Sequence, residues 1–108
     1  MRTATRKKET RRMVQVTVRM LGTLKEVSGT GEAMLTLPGE VDVAGVVQRL
    51  VEEHGDGLAA LLLDPVLRSP LPNALILLNG VEINNLDGLG TRVGDGDTLV
   101  LLAVAHGG

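Results

Sequence analysis

ALILLNGVEI, at residues 74–83, is the most informative structural signal in this sequence. The continuous apolar run over 74–78 predicts a buried strand. Asn79-Gly80 follows it, and this dipeptide favours a two-residue hairpin turn because both turn positions must adopt a positive φ. Residues 81–83 then predict a short return strand. The segment is therefore expected to form a β-hairpin, around which the other elements can be placed.

Two further strands are predicted upstream of this hairpin. Residues 13–20 alternate between apolar and polar side chains, which is typical of a half-buried strand. Residues 32–37 predict a second strand, which ends at Pro38-Gly39. The connection between them is interpreted as a glycine-punctuated link in which Leu24 and Val27 are anchors. We expect the two strands to form an antiparallel pair.

A helix is predicted between the second strand and the hairpin. Asp42 is in a position typical of an N-cap, and His54-Gly55 marks the helix end. A second short helical segment is predicted over 58–63, before a surface loop over 64–72 that contains three prolines. The apolar stripe of the main helix has the spacing i, i+3, i+4, i+7, i+8 and consists of Val43, Val46, Val47, Leu50 and Val51.

The last part of the chain completes the predicted sheet. Residues 84–94 are glycine-rich and irregular, Asp95-Gly96-Asp97 predicts a tight turn, and residues 98–104 predict the final strand. The order is strand, strand, helix, strand, short strand, strand. It indicates an α+β fold of the β-grasp type, with a mixed four- to five-stranded sheet and one main helix on one face. The first and last strands are expected to be central neighbours.

Composition excludes several kinds of site. The chain of 108 residues has no Cys, so disulfides and thiolate chemistry are ruled out, and no aromatic residue, so bases cannot stack on aromatic rings. The two histidines, His54 and His106, are far apart in sequence, and no metal centre is expected. Asp95 and Asp97 lack the other ligands of a calcium loop and are interpreted as turn residues. No transmembrane or secretory segment is present in the sequence, and a cytoplasmic protein is expected.

Charge divides the chain into two parts. Residues 1–12 contain six basic residues and one acidic residue, whereas residues 13–108 contain five basic and twelve acidic residues, so the formal charges are +5 and −7. We predict that 1–12 form a basic, disordered extension. The alternative is that this extension contacts nucleic acid or a membrane surface. The acidic body argues against nucleic-acid binding by the folded domain, predicted over 13–105.

The sequence ends in His106-Gly107-Gly108, predicted to be a flexible tail over 106–108. Because 14 of the 108 residues are glycine, composition alone gives a terminal Gly-Gly in roughly 2% of cases. Neither residue carries a Cβ, so the pair forms a thin peptide whose carboxylate fits a narrow slot. We therefore expect the C-terminus itself to be the reacting group.

Three motifs in order resemble those of the ubiquitin-like superfamily of sulfur carriers and protein modifiers. They are LLNGVEI at 77–83, VGDGDTL at 93–99 and the terminal Gly-Gly. The branch that looks most similar includes the small subunit of molybdopterin synthase, the sulfur carrier of the thiamine pathway and the small archaeal modifiers. The resemblance covers the whole chain except the basic extension. The aromatic or proline residue that often precedes the diglycine in the sulfur carriers is missing.

The resemblance implies a carrier that is a substrate and has no catalytic residues of its own. An ATP-dependent activating enzyme would adenylate the Gly108 carboxylate, while Gly107 keeps the entry channel clear. Sulfur transfer would then give a thiocarboxylate, or a partner cysteine would take a thioester and pass the chain to a lysine as an isopeptide. The implied partners are this enzyme, a sulfur acceptor or lysine-bearing targets, and a conjugating enzyme or processing protease. No membrane or nucleic-acid partner is implied, ATP is used by the enzyme, and no cofactor is permanently bound.

Other residues are candidates for contacts with these partners. Alternation along the last strand places Val100 and Leu102 on the sheet face away from the helix, where they form a candidate docking patch. The alternative is that a loop or a dimer partner covers this face. The three lysines, Lys7, Lys8 and Lys25, are candidate acceptors for self-conjugation. The alternative function is a non-catalytic interaction module with an inert C-terminus.

Overall fold

The computed structural model describes residues 12–71 and 73–104, which form one sheet with helices on one face. The sheet has five strands in the order β2-β1-β5-β3-β4. The strands are β1 (Met13–Leu21), β2 (Glu32–Pro38), β3 (Ala74–Leu78), β4 (Val81–Glu82) and β5 (Thr98–Ala103), and the helices are α1 (Thr23–Ser28), α2 (Val43–His54) and α3 (Asp56–Leu62).

The register of the sheet agrees with the predicted β-grasp topology. β1 pairs antiparallel with β2, so that Met13 lies opposite Pro38. β1 and β5 pair in parallel at the centre of the sheet, and β3 is antiparallel to β5. The hairpin turn between β3 and β4 has φ values of 50° at Asn79 and 87° at Gly80. The positive-φ turn predicted for this dipeptide is therefore confirmed, and the sheet is mixed as expected.

The main helix α2 begins and ends where the sequence predicted. The Asp42 side chain accepts a hydrogen bond from the Gly45 amide at 2.9 Å, which is the N-cap interaction. At position 45 a Cβ would lie 2.7 Å from Val41 Cγ2, so only glycine fits there without a shift. His54 is the last helical residue, and its Nδ1 lies 3.0 Å from the Leu50 carbonyl oxygen.

One hydrophobic core lies between the sheet and the helices. The inward side chains of β1 alternate with outward polar ones, as predicted, and four of the five apolar-stripe residues of α2 are buried. The fifth, Val51, is only partly buried at the margin of the core. The buried core side chains are Val14, Val16, Val18, Met20, Leu24, Leu35, Leu37, Val43, Val46, Val47, Leu50, Leu58, Leu62, Ala74, Ile76, Leu78, Ile83, Val93, Leu99 and Leu101.

Two segments differ from the sequence prediction. The link after β1 contains helix α1, which buries Leu24 as expected but leaves Val27 47% exposed, so Val27 is not an anchor. The six-residue helix is too short to show a periodic stripe, and short helices depend on tertiary contacts. The return strand is also shorter than predicted, because Ile83 begins a 3₁₀ turn that directs its side chain into the core.

The outer edge of β2 is partly occupied by hydrogen bonds from side chains. The Thr30 hydroxyl donates to the Glu32 carbonyl at 2.8 Å and accepts from the Glu32 amide at 3.2 Å. Arg49 on α2 donates from Nη1 to the Thr36 carbonyl at 3.2 Å. Pro38 at the strand end has no amide hydrogen. These features partly protect the edge against pairing with a strand from another chain.

Candidate functional site

The candidate site is the end of the sheet at which β5 delivers the chain to its C-terminal segment. Ala103 pairs with Ala74, and the Val104 amide donates to the Asn73 carbonyl at 2.8 Å. The chain is thus held by the ladder with β3 up to Val104. The predicted reacting residues Gly107 and Gly108 lie outside the described residues, as do His106 and the candidate acceptors Lys7 and Lys8.

An apolar surface lies on the open face of the sheet beside this exit. Leu99 and Leu101 are buried against the helices, whereas Val100 is partly exposed and Leu102 is 37% exposed. The alternation predicted for the last strand is therefore confirmed. We use the name open-face patch for the surface that these outward side chains form with their cross-strand neighbours, namely Leu21, Leu75, Leu77, Val100 and Leu102.

The open-face patch is built by the pairing of the three central strands. Leu102 lies between Leu21 on β1 and Leu75 on β3. Leu21 is 39% exposed and follows the last residue of the predicted strand, so the sequence interpretation missed it. Had the predicted strand been extended by one residue, the same alternation would have placed Leu21 on the open face. The parallel pairing of β1 with β5, which no local pattern encodes, is what places Leu21 beside Leu102.

Polar groups lie beside the patch. Arg19 on β1 lies opposite Val100 of β5 on one side and Glu32 of β2 on the other, and Glu82 lies opposite Leu77. An apolar centre with charged neighbours is the usual composition of a protein interface. Lys25 lies on α1, close to the end of β1, and is exposed. A Cβ at Gly31 would be 3.3 Å from Lys25 Cδ and Cε, so the aliphatic part of the lysine lies over this glycine.

The aspartates of the Asp95-Gly96-Asp97 turn have structural roles at the opposite end of the sheet. The Asp95 Oδ1 accepts from the Gln15 amide at 2.8 Å. The Asp97 carboxylate accepts from the Gly94 amide at 2.7 Å and from Asn79 Nδ2 at 3.0 Å. Asn79 Oδ1 in turn accepts from the Thr98 amide at 2.9 Å. These contacts join the two turns and support the interpretation of both aspartates as turn residues.

Within 12–71 and 73–104, no group of three or more His, Cys, Asp or Glu side chains is arranged to hold a metal ion. None of the helices in the same part of the chain has the length and hydropathy needed to cross a bilayer. At the C-terminal exit, the open-face patch offers apolar contacts, and Arg19 and Glu82 lie nearby.

Comparison with known proteins gives a consistent result. No family model matches the chain. Small archaeal modifier protein 3 of Haloferax volcanii is 30% identical over 95 residues, which cover 88% of this chain and 100% of the relative. The solution structure of small archaeal modifier protein 1 from Methanosarcina acetivorans has a TM-score of 0.73 at 27% identity, and the match covers 90% of this chain and 99% of that one.

A third match is the crystal structure of the BexX/CysO complex from Amycolatopsis orientalis. It has a TM-score of 0.64 at 27% identity and covers 86% of this chain and 99% of the matched one. Two of these three relatives are small archaeal modifier proteins. The sequence similarity to small archaeal modifier protein 3 extends over the whole length of that relative, and the structure of small archaeal modifier protein 1 from Methanosarcina acetivorans has the same fold as this chain. The chain therefore belongs to the ubiquitin-like β-grasp superfamily of sulfur carriers and protein modifiers.

Proposed function

We propose that this protein is a carrier whose Gly108 carboxylate is activated by an ATP-dependent adenylating enzyme. The observation that carries the proposal is the end-to-end similarity to a small archaeal modifier, in a chain that ends in Gly-Gly. The geometry of the exit supports it. The last strand is held at the centre of the sheet up to Val104, and an apolar surface lies beside that point.

The proposed chemistry uses the C-terminus as the reactant. The Gly108 carboxylate oxygen attacks the α-phosphorus of ATP, and pyrophosphate leaves to give an acyl adenylate. A sulfide-level nucleophile or a cysteine thiolate then attacks the carbonyl carbon, and AMP leaves with the bonding electrons. The products are a thiocarboxylate, for sulfur transfer, or a thioester, from which a target lysine takes the chain as an isopeptide. Adenylation is needed because a carboxylate by itself is a poor electrophile.

The open-face patch is the proposed contact with the activating enzyme. Val100 and Leu102 lie on the strand that leads into the C-terminal segment. An enzyme bound to these two side chains would therefore lie close to that segment. The hydrogen bonds along the outer edge of β2 make strand addition there less favourable, which favours docking on the sheet face. The crystal structure that pairs CysO with BexX shows a protein of this superfamily in complex with a partner.

Lysines provide the proposed acceptors if the chain is conjugated to another copy of itself. Lys25 is exposed on α1, and Lys7 and Lys8 belong to the basic N-terminal segment. Replacing all three by arginine keeps the charge and removes every lysine amine from the chain. Loss of self-conjugates in this variant, with conjugation to other proteins retained, would support these acceptors.

Mass spectrometry of protein from its native cell tests the main proposal. A thiocarboxylate gives the mass increase that corresponds to exchange of one oxygen for one sulfur. Because Arg92 is the last tryptic site before the C-terminus, conjugation leaves residues 93–108 attached to a lysine of the target. A variant that lacks Gly107 and Gly108 is the matched control and should give neither product. An abundant native protein with neither modification would overturn the proposal.

The same deletion separates the carrier from the alternative, an interaction module with an inert C-terminus. Adenylate formation is measured as ATP–pyrophosphate exchange with the purified activating enzyme. A carrier loses this signal when the two glycines are removed, whereas an interaction module keeps its binding to partners. Retained cellular activity of the truncated chain would favour the interaction module.

A further inference from the structure

The loop between α3 and β3 contains a turn that is closed by hydrogen bonds. The Asp64 side chain accepts from the amides of Val66 and Leu67 through Oδ2, at 3.0 and 2.8 Å. The Asp64 amide donates to the Ser69 carbonyl at 2.9 Å, and the Arg68 amide donates to the Asp64 carbonyl at 2.8 Å. These four bonds close residues 64–69 into a compact turn.

This turn presents two large aliphatic side chains to solvent. Val66 is 84% exposed and Leu67 is 64% exposed, although the turn that holds them is well organised. Arg68 has a φ of 57°, a conformation that costs a residue with a Cβ about 1–2 kcal/mol. Apolar exposure together with backbone strain is a combination that folding stability alone does not explain.

A groove lies directly beside the protruding turn. It has a volume of about 390 Å³ and runs between α2, the turn and the 3₁₀ segment at Gly88–Gly90. Its apolar walls include Val51, Leu63 and Leu89, and its lining includes the charged residues Glu52 and Arg68. One surface of the molecule therefore offers an aliphatic protrusion, an apolar groove and one charge of each sign.

The two charged residues of the groove are not paired with each other. Among the described residues, the ion pair within 4.0 Å is that between Arg49 and Glu53, at 3.8 Å. Glu52 and Arg68 line the same groove without forming such a pair. Glu52 accepts a hydrogen bond from the neutral Gln48 side chain at 3.4 Å, so within the described residues neither charge is neutralised by an ion pair.

We propose that this surface binds a second copy of the chain in a two-fold symmetric dimer. Val66 and Leu67 of each copy enter the groove of the other, and each Arg68 pairs with Glu52 of the partner subunit. A second copy is favoured over an unrelated partner because one surface carries both an apolar protrusion and an apolar groove, together with one charge of each sign. Two-fold symmetry then satisfies both copies at once and closes the assembly.

The proposed dimer leaves the open-face patch uncovered. The groove is lined by α2, which covers the buried face of the sheet, whereas Val100 and Leu102 lie on the other face. Dimer formation and docking of an activating enzyme therefore use different surfaces. Failure of one proposal leaves the other unaffected.

Sedimentation velocity of the full chain tests the dimer. Loading concentrations from about 10 µM to about 1 mM cover the range in which a modest interface dissociates. We expect a concentration-dependent shift from monomer to dimer, and Leu67→Asp should raise the dissociation constant at least about tenfold. Met34→Asp is the matched control, because Met34 is exposed on the opposite sheet face and should leave the dimer unchanged. Unfolding curves verify that both variants are folded.

Charge reversal tests the proposed pairing. Glu52→Arg and Arg68→Glu should each weaken the dimer, and the double variant should recover it, since the two charges are then exchanged. A chain that is monomeric throughout the concentration range would overturn the proposal. A dimer that is unaffected by Leu67→Asp would also overturn it. The same holds if both single charge reversals weaken the dimer and the double variant does not restore it. ATP–pyrophosphate exchange of Leu67→Asp should equal that of the unmodified chain, which separates this test from that of the proposed function.

Discussion

The two ends of the sheet are built in opposite ways. At the turn end, Asp95, Asp97 and Asn79 hold the hairpin turn and the entry to β5 with side-chain hydrogen bonds. At the tail end, Leu21 and Leu102 are exposed beside the departing chain. The motifs that are easiest to find in the sequence are at the turn end and stabilise the fold. The end proposed to act on partners has no conspicuous motif among its described residues.

The largest loss of stability is expected at the turn end, from Asp97→Ala. The substitution removes the acceptor of two hydrogen bonds, from the Gly94 amide and Asn79 Nδ2. Loss of bonds to a charged group should lower the free energy of unfolding by about 2–3 kcal/mol. Urea denaturation measures this change. Asp95→Ala, which removes a single bond from the Gln15 amide, should have about half the effect. Equal effects would contradict the described network.

A smaller loss is expected from Arg49→Ala, which acts where α2 meets the edge strand. The guanidinium donates to the Thr36 carbonyl and lies 3.8 Å from Glu53. Because both contacts are exposed, the free energy of unfolding should fall by only about 0.5–1 kcal/mol. The vacated edge carbonyl should also increase aggregation of concentrated protein, measured by light scattering. Arg19→Ala, on a central strand, is the control. Equal scattering of both variants would show that Arg49 does not protect the edge.

The smallest change in stability is expected at the tail end, from Leu102→Asp. Its side chain is already 37% exposed, so the free energy of unfolding should change by less than about 1 kcal/mol. The same substitution should strongly reduce ATP–pyrophosphate exchange with the activating enzyme, since it places a charge in the open-face patch. Met34→Asp serves as the control on the same face. Unchanged exchange by Leu102→Asp would remove the patch from the proposed docking surface.

Most of the fold was predictable because its signals are local. The Asn79-Gly80 turn requires a positive φ, the Asp42 carboxylate caps a helix, and alternation in β1 assigns its faces. Helix α1 was not predictable, because six residues give no period and the helix depends on burying Leu24. The 3₁₀ turn at Ile83 was missed for a related reason. Alternation predicts that the Ile83 side chain points inward, but it does not show whether the backbone at that residue is a strand or a 3₁₀ turn.

Part of the candidate site was also predictable from the sequence, and part was not. Val100 and Leu102 were placed on the open face by period-two alternation alone. Alternation continued by one residue also puts Leu21 on the open face, but only the parallel register with β5 places it beside Leu102, about 80 positions away in the sequence. The groove beside α2 and the protruding Val66 and Leu67 had no sequence signal, because they depend on how the turn is folded against the helix.

The sequence by itself determined most of the elements and their order, since these follow from local preferences, and it led to the proposal that the diglycine is the reacting group. The tertiary structure decided which exposed side chains lie together. Strand pairing assembled Leu21, Leu75 and Leu102 into one surface, and the turn at Asp64 set Val66 and Leu67 beside a groove. Such surfaces depend on contacts between segments that are far apart in the sequence, and local sequence patterns do not predict these contacts.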